Sequence, residues 1–239
     1  FVSDLHLEPG RPDISQAFFD FLDIHTAKAQ ALYILGDFFN VWLGDDHATE
    51  LSTQVAKKLY ALSEGGVSIK LMHGNRDFLI GEGYAKSCGS QLIQEPYLLE
   101  AFNQKVLLMH GDVLCTKDHD YISFRKMVRD PEWQKEFLSR SVEDRIAFAT
   151  DARIKSESMT SNKAEDIMDV TPEAVAKIMR SYSINTLIHG HTHRPATHKL
   201  SEDSLLNQRI VLGDWDDSAW YIAWTEEQLS LHEIKKNTD

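Results

Sequence analysis

An α/β fold built around parallel strands is what this sequence predicts, and three observations predict it. Short apolar runs at residues 32–35, 69–72, 106–109 and at Leu187-Ile188 have the length and composition of buried strands. Helical stripes separate the early runs, and strand–helix–strand alternation points to parallel pairing with helices on the sheet faces. Finally, residues 117–163 contain no convincing strand and are helical in composition.

In chain order, Phe1-Val2 is a first strand end. Ile14, Phe18, Phe21 and Leu22 then fall on one helical stripe, and Val55, Leu59 and Leu62 form a second before the run ending at Met72. From Gln91 the strands shorten to Leu92-Ile93, Tyr97-Leu98-Leu99 and 106–109. Residues 117–163 are nearly charge-neutral in an acidic chain, with Phe124, Met127, Val128, Phe137, Leu138 and Ile146 as apolar markers and a polar break at 156–162. This stretch is expected to be an inserted helical cap (117–163) between two parts of a core domain (1–116 and 164–239). Pro172 suits the first turn of a helix whose buried face holds Val175, Ile178 and Met179. Strands at 210–212, 220–224 and 229–234 close the chain, the last two joined as an antiparallel hairpin through the turn at 225–228.

A formal net charge of −12 argues against nucleic-acid binding through a basic surface. The two cysteines, Cys88 and Cys115, lack metal-ligand spacing and fit a reduced, cytosolic setting. No apolar stretch approaches the roughly 18 residues of a membrane span, and no signal peptide is visible. The chain opens inside a strand-like run, so residues ahead of Phe1 are expected.

Six islands carry the chemistry: Asp4-Leu5-His6, Gly36-Asp37, Gly74-Asn75-Arg76-Asp77, His110-Gly111-Asp112, Gly190-His191-Thr192-His193 and Gly213-Asp214-Trp215. Each of the first five follows an apolar run, so their side chains can converge at the carboxyl edge of a sheet, where α/β proteins place ligands. Two divalent cations close together need one bridging ligand with oxygen and nitrogen donors on either side. Asp37 is the candidate bridge. Asp4, His6 and His193 are expected to hold one ion, and Asn75, His110 and His191 the other. The His-Thr-His spacing is read from extended backbone, where alternate side chains share a direction. With carboxylate, amide and imidazole donors but no thiolate, two Mn²⁺ ions are expected, other divalent metals being possible. His73 and His189, each just before a motif glycine, are read as packing or backbone-bonding residues.

These islands resemble the calcineurin-like metallophosphoesterase superfamily, whose pattern is D-x-H, GD, GN-H-[DE], H and GH-x-H. The resemblance implies a layered β-sandwich flanked by helices, with the helical segment inserted. One position departs: Arg76 stands where most members carry histidine. Arginine does not give up its proton near neutral pH but holds developing negative charge through paired hydrogen bonds. It therefore suits a leaving group that departs as an anion, as in pyrophosphate cleavage.

Longer stretches, 36–46, 73–79, 110–116 and 212–215, with Tyr121, Phe124-Arg125 and Val128-Arg129 in the insertion, look like the UDP-2,3-diacylglucosamine hydrolase family. That resemblance implies hydrolysis of UDP-2,3-diacylglucosamine by metal-hydroxide attack on the α-phosphorus. The products are UMP and 2,3-diacylglucosamine 1-phosphate (lipid X), within lipid A biosynthesis. It assigns catalysis to Asn75, Arg76 and His191, and substrate binding to these three with Asp118, Arg153, Ser156, Thr160 and Lys163. Thr160 departs from an expected Asn, and Lys117 stands where an acid is common. The implied location is peripheral, on the cytoplasmic face of the inner membrane, with no nucleic acid and no obligate protein partner. A soluble nucleotide pyrophosphatase or phosphodiesterase and a non-catalytic metal-binding module are the competing readings.

Overall fold

The computed structural model describes residues 1–160, 167, 169–200 and 208–235, with the backbone alone at 157–160. The first sheet is parallel, with β1 (Ala31–Leu35), β2 (Ser68–Met72) and β3 (Ser90–Ile93) in that spatial order. The chain start extends it without forming a strand of its own. Val2 N donates to Tyr33 O at 2.9 Å and Leu35 N to Val2 O at 2.8 Å, while Ile222 N donates to Phe1 O at 2.9 Å. This stitches β1 to β9 (Ser218–Trp224), which pairs antiparallel with β10 (Leu229–Lys235) in the expected hairpin.

The second sheet contains β4 (Tyr97–Ala101), β5 (Gln104–Leu108), β6 (Thr186–His189), β7 (Ala196–Lys199) and β8 (Gln208–Val211), in the order β4-β5-β6-β8-β7. Its three central strands run parallel and both edge strands antiparallel. Alternation along the strands then generates layers. Tyr33 and Leu35 of β1 pack with Val106, Leu108, Ile188 and Ile210 between the sheets. Leu32 and Ile34 face the other way, into a cluster with Phe18 of α1 (Pro12–His25) and Leu59 of α2 (Glu50–Glu64). Leu107 of β5 turns out against Val175 and Met179 of α7 (Pro172–Ser181). The result is helix, sheet, sheet, helix: the layered sandwich expected from the sequence.

Local signals fix the helix ends. Pro12 opens α1, and Ile14, Phe18, Phe21 and Leu22 form its buried stripe. At the start of α2, Thr49 and Ser52 make a reciprocal capping box. Between residues 117 and 160 the chain forms three helices joined by short turns, α4 (His119–Val128), α5 (Pro131–Leu138) and α6 (Val142–Thr160). Asp118 caps α4 through Tyr121 N, and Asp130 caps α5 through Glu132 N and Trp133 N.

One reading is corrected. The polar break expected from residue 156 does not end the helix, because α6 continues through Ser156 to Thr160; polar side chains do not oppose helical backbone. Of the apolar markers in this segment, Val128 and Phe137 are each only 2 % exposed. Phe137 stacks on Trp133 at 4.8 Å and meets Phe148 edge-on at 5.2 Å, so it serves helix packing. Two short elements, α3 (Glu82–Ser87) and β7, were not foreseen.

Candidate metal centre

Every expected ligand lies in a loop just beyond a strand or strand-like segment, and the backbone there is unusual. Asp4, His6, Asp37, His191 and His193 all have left-handed φ, between 49° and 68°. Such backbone costs on the order of 1 kcal/mol or more per residue and persists only where the surroundings impose it. Two glycines allow the loops to close on each other. A Cβ on Gly74 would lie 2.1 Å from Asp37 N and Oδ1, and one on Gly190 would lie 2.1 Å from Asp4 Oδ2. Only glycine permits these approaches.

The loops bring all seven expected ligands into two adjoining sets. In the first, His6 Nε2 lies 3.2 Å from His193 Nε2, and His193 Nε2 lies 3.4 Å from Asp4 Oδ1. In the second, Asn75 Oδ1 lies 2.8 Å from His110 Nε2 and 2.9 Å from His191 Nδ1. Asp37 stands between them, with Oδ2 3.9 Å from His6 Nδ1 and Oδ1 3.8 Å from His110 Nε2. Each carboxylate oxygen addresses one set. Because His191 and His193 have left-handed backbone, the alternation rule of extended chain does not apply to them; they turn to different sets.

The donors fit divalent cations. Asp4 Oδ1 and His6 Nδ1 are buried without a hydrogen-bond partner, a costly condition that a metal ion relieves. Burial opposes charge on His193, yet the neighbouring Asp214 and Asp4 carboxylates raise its pKa to about 10. His110 is likewise raised to about 9, against burial, by Asp37 and Asp4. Its Nδ1 sits 3.0 Å from Leu35 O, so the second proton points from Nε2 toward Asn75. Burial pushes Asp37 up to about 7, helped by Asp77 and Asp4 and opposed by His110. Burial also lowers His6 to about 3 and His191 to about 4, leaving both rings neutral and ready to ligate.

A supporting shell holds these groups. Asp214 Oδ2, 3.2 Å from His193 Nδ1, orients that ring as carboxylates orient metal-binding histidines. Buried Asp77 accepts from Gly74 N at 2.8 Å and Phe38 N at 2.7 Å, tying the Asn75 loop to the Asp37 loop. Arg125 pairs with Asp112 at 2.7 Å and Glu95 at 3.1 Å, while Arg129 donates to Gly74 O at 2.7 Å. Asp77 and Asp214 lay inside the quoted islands, but sequence alone gave them no role. His73 and His189 bond backbone carbonyls, of Ile80 and Gly190, as expected.

Arg76 sits at the mouth. Its backbone N donates to Asp37 Oδ1 at 2.8 Å, and its Nε lies 3.7 Å from Asp37 Oδ2. Of the residues expected on the helical segment, Asp118 is the cap of α4, and Arg153 and Ser156 lie exposed on α6. The side chain of Thr160, and all of Lys163, lie outside the described residues.

The family model for calcineurin-like phosphoesterases matches residues 1–195. A UDP-2,3-diacylglucosamine hydrolase of Cellvibrio japonicus is 48 % identical over 231 residues, covering 97 % of this chain and 96 % of that protein. One of Hahella chejuensis is 51 % identical over 221 residues (92 % and 91 %), and one of Chromohalobacter salexigens 50 % over 214 (90 % and 87 %).

Proposed function

The chain belongs to the calcineurin-like phosphoesterases and, within them, to the UDP-2,3-diacylglucosamine hydrolase family, and from that premise we propose the reaction it performs. It hydrolyses the pyrophosphate bond of UDP-2,3-diacylglucosamine, giving UMP and 2,3-diacylglucosamine 1-phosphate, a step of lipid A biosynthesis. The observation that carries the reading is the Asp37 carboxylate set between two complete ligand sets, with Arg76 beside it.

Two Mn²⁺ ions at these donors would supply an activated water and screen phosphate charge. The protein's own groups do the rest. Asp4, His6 and His193 would hold one ion and Asn75, His110 and His191 the other, with Asp37 placed to serve both sets. Arg76 stays charged throughout and offers its guanidinium to the departing phosphate. Asn75, Arg76 and His191, with Asp118, Arg153, Ser156, Thr160 and Lys163 from the helical segment, bind the substrate.

The protein attaches peripherally to the cytoplasmic face of the inner membrane. Exposed Met127, Leu138, Ile146 and Ile154 on α4–α6 support this, and no described helix is long and apolar enough to cross a membrane.

The test is UMP release from UDP-2,3-diacylglucosamine and from UDP-N-acetylglucosamine, with Mn²⁺ or with a chelator. Metal-dependent cleavage of the acylated substrate alone is expected. Equal cleavage of both would make this a general nucleotide pyrophosphatase.

A further inference from the structure

We propose that Asn40 is a positioning residue for Arg76 and that Glu8 sets the direction in which Asn40 works. The inference rests on the role given to Arg76 above and concerns how its guanidinium is held ready.

Arg76 has a long side chain that is 38 % exposed. Left to itself it would sample many rotamers, and fixing it at reaction time costs side-chain entropy. Its backbone is already pinned on both sides, since N donates to Asp37 Oδ1 and O accepts from Trp42 N at 3.3 Å. Beyond the 3.7 Å approach to Asp37, its guanidinium makes one hydrogen bond among those described: Nη1 donates to Asn40 Oδ1 at 2.9 Å.

The other end of the Asn40 amide, Nδ2, donates to Glu8 Oε2. The polarity of this chain is determinate. A guanidinium only donates and a carboxylate only accepts, so an amide between them satisfies both in one orientation and neither in the other. Asn40 is nearly buried, at 8 % exposure, and its backbone is fixed by N donating to Leu7 O at 3.2 Å, one residue before Glu8. The segment that delivers Asp4 and His6 therefore also delivers the group that orients Asn40.

The choice of an amide matters chemically. A carboxylate at position 40 would hold Arg76 equally well, but would neutralise the charge that the departing phosphate needs. It would also face Glu8 with like charge. The amide fixes geometry and leaves the charge available.

The experiment combines a double-mutant cycle with a readout that needs no turnover. Asn40→Ala is expected to lower kcat between about 10-fold and 100-fold, with KM and bound Mn²⁺ little changed. In the Arg76→Ala background the same change is expected to cost almost nothing further. In the Mg²⁺-loaded protein, the ¹⁵N order parameter of the Arg76 Nε–H is expected to fall below about 0.6 in Asn40→Ala. Glu8→Ala should show the same pattern more weakly, with Glu8→Gln restoring it, and this cycle decides the matter if Asn40→Ala does not fold.

Losses that multiply in the double variant, an unchanged order parameter, or Mn²⁺ lost from Asn40→Ala would each overturn the proposal. A wild-type protein that cleaves neither UDP-sugar would contradict the hydrolase reading alone. The order parameter would still decide the tether.

Discussion

The two ligand sets and the helices at 119–160 sit on the same core but are held by different forces. The ligand loops are locked by backbone: left-handed residues, glycine contacts at 2.1 Å and buried Asp77 bonding to Gly74 N and Phe38 N. The helices are attached through side chains. Arg145, 2 % exposed, donates to Leu43 O at 2.5 Å and grips both oxygens of Asp46; Trp133, Phe137 and Phe148 pack beside Phe78. Backbone locks leave few alternative arrangements, whereas side-chain clasps can open without unfolding what they clasp. The ligand loops are therefore built to stay fixed, whereas the clasps of the helices can open on their own.

Breaking the backbone lock should have the largest effect. Gly74→Ala forces its Cβ against Asp37 and should lower Mn²⁺ affinity and turnover by about 100-fold or more, measured by metal content and UMP release. Breaking the clasp should act elsewhere. Arg145→Met should destabilise the helices by about 2 kcal/mol and raise amide exchange in α5 and α6, with Mn²⁺ content unchanged. If exchange rose equally in β1 and β5, the two regions would not be separable.

Proton linkage sharpens the contrast at the ligand sets. His193 and His110, raised to about 10 and about 9, are protonated near neutral pH without metal, and Asp37, at about 7, is partly so. Ligands must shed protons to bind, so metal loading should release about two protons near pH 7.5, and affinity should fall about 10-fold or more per pH unit on acidification. Calorimetry in buffers of different ionisation enthalpy measures this, and pH-independent affinity would contradict it. The smallest effect is expected at the exposed apolar residues. Met127→Ser with Ile146→Ser should change stability by less than about 0.5 kcal/mol per site while reducing binding to anionic vesicles.

The strand runs, the stripes of α1 and α7 and the seven residues that the fold gathers at one place were legible in sequence, since apolar periodicity and donor type are local properties. What escaped depends on distant partners. Phe1-Val2 reads as a strand end, but that it joins two sheet segments depends on Tyr33 and Ile222 lying on either side of it. The polar stretch from Ser156 looked like a break because polar residues carry no apolar signal. Asn40 and Asp214 lay inside quoted stretches, but sequence alone gave them no role. Their parts emerge only when Glu8 with Arg76, and His193, are brought beside them. The helix-borne residues Arg153 and Ser156 were placed by resemblance, and the structure leaves both exposed on α6.

The central claim is that Asp37 joins two ligand sets into one dinuclear centre, and Mn²⁺ titration followed by electron paramagnetic resonance tests it most directly. Two ions per chain with the signature of a spin-coupled pair, lost in Asp37→Ala, is the predicted result. A single ion per chain, or two magnetically isolated ions, would contradict it.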